Sequence, residues 1–167
     1  MMKSDQKATE KALQEKYHGL RARLAAHPFL TGLRPEHVET LSSYCMATEF
    51  EAGQKIFSAG EIANRFYLVE DGRVSLEVHS PEGAPLHVET VGPGGVLGWS
   101  WLFAPYTWHF DARALEPVRA IFLYGTRLRE HCEEEPEFGY QLLRRVAELA
   151  TQRLTAVQKR LVEASSQ

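Results

Sequence analysis

Turn-forming residues recur at intervals of roughly a dozen through the middle of this chain. Gly53, Gly60, Asp71-Gly72, Pro81-Glu82-Gly83 and Gly92-Pro93-Gly94-Gly95 punctuate residues 48–124. The segments between them are too short for ordinary helices and rich in β-branched and aromatic residues. This spacing predicts a run of short strands, the rhythm of a sandwich or barrel. Residues 65–69 and 74–78 flank Asp71-Gly72, which reads as a hairpin turn. A second hairpin pairs residues 74–79 with 86–90 around Pro81-Glu82-Gly83, and residues 118–123 close the set. An antiparallel double-sheet roll accommodates these strands.

The ends of the chain follow a different grammar. Residues 3–26 lack proline and read as a helix with a loose apolar stripe of Ala8, Ala12, Tyr17, Leu20 and Leu24. Pro35 falls in the first turn of a second, short helix. Glu133-Glu134-Glu135 before Pro136 places acid at the start of a long helix, where the macrodipole favours it. Phe138, Leu142, Val146, Leu149 or Ala150, Leu154, Val157 and Leu161 then recur at threes and fours. That stripe outlasts a typical globular helix of about 11–12 residues. Its near end can cover the roll, and its far end calls for a partner helix from a second copy. The expected division is a helical arm at 1–26, a β-roll at 27–125 and C-terminal helices at 126–167, the last including a dimerisation helix.

Composition excludes several functions. A formal net charge of -3 with scattered basic residues argues against a nucleic-acid surface. The densest set, Arg144, Arg145, Arg153, Lys159 and Arg160, alternates with Glu148 and Glu163 and reads as a solvated helix face. Cys45 and Cys132 stand alone, which suits a reducing cytoplasm better than a disulfide scaffold. The polar N-terminus is unlike a signal peptide, and no apolar run reaches the roughly 18 residues of a membrane span.

Several fragments, in order, resemble the cyclic nucleotide-binding domain of the Crp/Fnr type. They are Phe50-Glu51-Ala52-Gly53-Gln54-Lys55-Ile56-Phe57, Ala59-Gly60-Glu61, Phe66-Tyr67-Leu68-Val69-Glu70-Asp71-Gly72-Arg73-Val74 and Pro93-Gly94-Gly95-Val96-Leu97-Gly98. The resemblance implies an α+β fold, a jelly-roll-like antiparallel β-roll (a double-stranded β-helix) with N-terminal helices and a long C-terminal helix. It also implies a ligand cup in which a short helix after the Gly-rich turn supplies backbone N–H groups and a carboxylate. The strand that follows supplies an arginine and a small hydroxyl residue. A cyclic phosphate needs N–H donors and a guanidinium, and a ribose hydroxyl needs a carboxylate. Here Gly98 matches the glycine, Trp99 stands where the family has Glu, and Trp108 stands near the arginine position with His109 at the hydroxyl position. Family transcription factors carry a C-terminal helix-turn-helix, for which the residues before Gln167 leave no room. Direct DNA contact is therefore not expected.

The candidate ligand-binding residues are Gly98, Trp99, Ser100, Trp108 and His109. Trp99, Trp101 and Trp108 either fill the cup as core or line a pocket for an apolar or aromatic ligand. An anion facing Trp99 and Trp108 without a cation is penalised by desolvation. Arg113 is five residues after Trp108, so on a regular strand it points to the opposite face. Thr151 and Thr155 stand where polar residues of the long helix touch ligand in the family. His79, His87 and His109 lack the paired HxH spacing of a metal-holding roll, and no serine or cysteine has an activating context. The expectation is a non-enzymatic, cytoplasmic regulatory or sensor module without metal or cofactor, working as a homodimer with a possible protein partner. The alternatives are a cyclic AMP- or cyclic GMP-binding protein with non-standard contacts and a ligand-free interaction scaffold.

Overall fold

The structure, a computed structural model, describes residues 2–166; Met1 and Gln167, the ends of the expected arm and C-terminal segment, lie outside the described residues. Two helices, α1 (Met2–Ala26) and α2 (Pro35–Ser42), lead into eight strands. These are β1 (Cys45–Phe50), β2 (Lys55–Phe57), β3 (Arg65–Asp71), β4 (Val74–Val78), β5 (Leu86–Val91), β6 (Val96–Leu97), β7 (Asp111–Ala114) and β8 (Val118–Tyr124). Helices α3 (Gly125–Glu134) and α4 (Pro136–Ser165) follow. The strands form two four-stranded antiparallel sheets, ordered β1-β8-β3-β6 and β2-β7-β4-β5. This is the expected roll with N-terminal helices and a long C-terminal helix.

Burial explains the strand sequences. Phe66 through Val69 of β3 are all buried, because their sheet is covered on both faces. Phe66 and Leu68 join a core with Leu24, Leu41, Trp101, Leu128, Phe138 and Leu142, under the helices. Tyr67 and Val69 face the other way, into the roll with Phe57, Leu76, Trp108, Ala112 and Phe122. A strand buried on both faces reads as a continuous apolar run rather than an alternation.

Two expectations about turns and caps are corrected. Asp71-Gly72 is not a hairpin turn: β3 and β4 lie in different sheets, and β4 pairs with β5 and β7 instead. The corner carries the chain across the roll where Pro117 and Val118 crowd it. A Cβ on Gly72 would lie 2.3 Å from the Pro117 carbonyl oxygen, and its φ is +84°. The Asp-Gly pair thus reports a sharp left-handed corner, a requirement that hairpins share. The acidic run is also split. Glu133 and Glu134 end α3, and only Glu135 stands at the N-cap of α4.

A chain of polar groups ties the helices together beneath the roll. The Arg34 guanidinium donates to His37 Nε2 (3.1 Å), which leaves the His37 proton on Nδ1. That N–H donates to His131 Nε2 (3.2 Å), and His131 Nδ1–H in turn donates to the Tyr44 hydroxyl (3.1 Å). Only neutral imidazoles satisfy this sequence of bonds. Burial, and then the neighbouring His37, hold the His131 pKa below its ordinary value, against Glu135 and Glu134. Burial also lowers His27, whose Nε2 donates to the Val69 carbonyl at 2.9 Å while Nδ1 accepts from Phe29 N–H.

Candidate functional site

The Gly-rich turn is stitched to β3. The Gly94 N–H donates to the Val69 carbonyl (2.9 Å) and the Val69 N–H to the Gly95 carbonyl (2.9 Å). After β6, Gly98 adopts left-handed backbone (φ 79°, ψ 40°) and starts a 3-10 turn over Trp99–Leu102. The strand that follows begins only at Asp111, after a bend at His109 and Phe110. The main chain of Trp108 is held from both sides, by Gly60 N–H to its carbonyl (2.8 Å) and by its own N–H to the Glu61 carbonyl (2.9 Å).

That anchoring drives the Trp108 indole into the cup. It stacks on Phe57 with centroids 4.2 Å apart and planes 17° apart, and it is 5% exposed. Its other edge lies on the backbone of Gly98. A Cβ there would sit 2.4 Å from Trp108 Cζ3 and 2.8 Å from Cη2. Glycine is therefore demanded twice, by the backbone angle and by the indole. The aromatic layer continues from Phe57 to Tyr67 and Phe122.

The remaining expected residues gather around the same point. Ser100 is buried, and its hydroxyl lies 2.9 Å from Nδ1 of the exposed His109. Trp99 is half-buried at the rim. Trp101 is elsewhere: fully buried against Phe66 in the core beneath the helices, it lines no part of the cup. What is left between Gly98, Trp99, Ser100, Trp108 and His109 is a void of about 20 Å³, closed by Phe57, Leu76, Phe110 and Arg153. That is room for about one water molecule, against roughly 300–1,000 Å³ for a ligand pocket. The arrangement can accept a small polar group at Ser100 and His109.

Arg153 was not legible as part of this site. Read from the sequence as one of a solvated set, its side chain is 16% exposed. The guanidinium carbon lies 4.3 Å above the Trp99 ring and pairs with Glu89 of β5. One turn pair further on, Arg160 donates to the Val88 carbonyl. Residues seven apart share a helix face, and this was the available signal that both arginines look toward one element. Arg113 points away, as expected. It donates to the Gly53 carbonyl (3.0 Å) and lies 3.7 Å from Glu77. Thr151 and Thr155 are exposed and spend their hydroxyls on the carbonyls four residues back.

Other reactive groups lie apart from the cup. Burial pushes the thiols of Cys45 and Cys132 up to about 11, so neither is a thiolate near neutral pH. His87 is engaged by Ser75 (2.9 Å) and Thr90 (3.3 Å).

Two sheets rolled around an aromatic layer, a Gly-rich turn opening onto a short 3-10 turn, and a long helix laid over the mouth define a β-roll of the regulatory type whose cup is occupied by its own side chains. The chain belongs to the cyclic nucleotide-binding domain family, whose model matches residues 47–135. It is 27% identical over 124 residues to the CRP-like cAMP-activated global transcriptional regulator of Mycobacterium tuberculosis, covering 74% of this chain and 55% of that protein. The chain thus spans about half the length of that curated relative. A Geobacter metallireducens GS-15 protein assigned to cyclic nucleotide binding has a similar crystal structure (TM-score 0.72, 32% identity, 80% of this chain and 96% of that one). So has the regulatory subunit of a cAMP-independent protein kinase A from Trypanosoma brucei (TM-score 0.64, 25% identity, 83% and 48%).

Proposed function

We propose that this chain is a non-enzymatic regulatory module in which the cup of a cyclic nucleotide-binding domain is filled by Trp108, lidded by Trp99 and Arg153, and no longer takes a cyclic nucleotide by the family's contacts. The observation that carries this is the Trp108 indole packed between Phe57 and Gly98, leaving about 20 Å³. The chemistry agrees. A cyclic phosphate buried beside two indoles, with Arg153 already paired to Glu89, loses its hydration without gaining a free guanidinium. The Trypanosoma brucei relative, described as cAMP-independent, is a precedent for this fold without that dependence. Calorimetric titration with cyclic AMP and cyclic GMP tests the reading. No saturable heat is expected, and micromolar binding of either nucleotide overturns it.

The module works as a homodimer paired through α4 in this reading. Phe138, Leu142 and Val146 bury the first turns of that helix on the roll. Further along, Leu154 (59% exposed), Leu161 (63%) and Val162 (67%) face solvent. A second copy supplies the matching apolar face, and signal passes from residues 98–110 through Arg153 into the paired helices and on to a protein partner.

A further inference from the structure

The side of Trp108 turned away from the cup forms the wall of a second, open cleft of about 530 Å³. Its sides are Ile56 and Phe57 of β2, the loop carrying Glu61, Ile62 and Asn64, and Arg65 and Tyr67 at the start of β3. Its size is in the range of small-molecule sites. The charge accounting there is unusual. Most arginines of the described residues give their guanidinium to a carboxylate: Arg21, Arg23, Arg34, Arg73, Arg113, Arg119, Arg127, Arg144 and Arg153. Arg129, Arg145 and Arg160 give theirs to backbone carbonyls. Among the described residues, Arg65 has neither. Half-buried, its guanidinium carbon lies 4.4 Å over the Phe122 ring.

An arginine held over an aromatic ring with no carboxylate partner keeps N–H donors available for a planar acceptor. The Phe122 ring fixes its orientation, so little side-chain entropy is lost on binding. Beside it, the Asn64 carboxamide offers a further polar contact, and Ile56 and Ile62 offer apolar surface; Ile62 is 73% exposed. Glu61, on the same rim, is held by the Ser58 N–H (3.4 Å) and opposes a second negative charge on a ligand. A monoanion therefore suits the cleft better than a phosphate dianion.

We infer that this cleft is a binding site for a small organic monocarboxylate with a flat apolar body, its carboxylate on Arg65 and its body along Ile56, Ile62 and the Trp108 wall. The site is distinct from the filled cup and stands whether or not the cup accepts a nucleotide. Because Trp108 is shared by both, an occupant of the cleft touches the side chain that fills the cup.

The test is a titration of the full chain with 2-naphthoate, followed by backbone amide NMR shifts. Saturable shifts at Gly60, Asn64 and Trp108 are expected. Neutral 2-naphthamide should bind at least about tenfold more weakly, the loss expected when a charge-assisted pair is removed. Arg65→Gln should weaken naphthoate binding by a similar factor, with Arg65→Lys between the two and Arg119→Gln, outside the cleft, unchanged. Circular dichroism confirms that each variant is folded. Absent shifts, equal binding of the amide, or undiminished binding by Arg65→Gln overturns the assignment.

Discussion

Replacing Gly98 by alanine tests the central contact of the site, because two separable costs fall on one methyl group. The residue sits at φ 79°, where a side chain costs about 1–2 kcal/mol relative to glycine. The new Cβ would also stand 2.4 Å from Trp108 Cζ3, far inside contact distance. An indole clamped against Phe57 cannot yield freely, so overpacking adds about 1–3 kcal/mol. Gly98→Ala is therefore expected to destabilise the fold by roughly 2–5 kcal/mol. Trp108→Leu removes both atoms that the methyl would strike, at a cost of about 2–4 kcal/mol in lost burial and stacking. Placed in that background, Gly98→Ala should cost mainly the backbone part, about 1–2 kcal/mol, with the Arg65 carbonyl oxygen 3.3 Å from the new Cβ the one close contact left. The double-mutant cycle then returns a coupling of about 1–3 kcal/mol, with the pair less harmful than the sum. Urea unfolding followed by far-UV circular dichroism, with a common m-value across the four proteins, measures it. Additivity within about 0.5 kcal/mol would show that the indole does not rest on Gly98, and the filled-cup reasoning fails with it.

Two further outcomes follow from the helices. His131 and His27 have folded-state pKa values lowered by burial, so the unfolded chain binds protons more readily below the ordinary histidine value of about 6.5. Their contribution is intact above that pH and is lost as pH falls below it. Tm should accordingly drop between about pH 7.5 and about pH 5.5, and His131→Gln should flatten the drop; a pH-independent wild-type Tm contradicts the neutral relay. Deleting the residues after Thr151 removes the exposed Leu154, Leu161 and Val162. Analytical ultracentrifugation should show a dimer becoming a monomer, and an undiminished dimer excludes pairing through the far end of α4.

How much could be read without coordinates depended on whether the signal was local. The β4–β5 hairpin, the Pro35 helix start and the burial of Phe138, Leu142 and Val146 each follow from neighbouring residues, and each stands as read. Asp71-Gly72 misled because a left-handed glycine serves a hairpin and a sheet-crossing corner equally. Distinguishing them requires knowing that Val118 lies against the turn. At the site, Gly98, Trp99, Ser100, Trp108 and His109 were legible as a group, since one Gly-rich turn and one strand entrance carry them all. Phe57, Glu89 and Arg153 were not. Each comes from a different part of the chain, and Arg153 looks like any solvated helix arginine until Trp99 and Glu89 are placed beneath it.

The Arg153–Trp99 contact also sets an order on how such a site could change by single substitutions. A carboxylate introduced at position 99 would arrive beneath the Arg153 guanidinium and share it with Glu89, a partial counter-ion that is already in place. A guanidinium introduced first at position 108 would arrive inside the Phe57 aromatic layer, buried and with no anion waiting. The first step is passable and the second, taken alone, is not. A route from this aromatic cup to a charged one therefore opens at position 99, and the helix residue that closes the mouth is what keeps that route open.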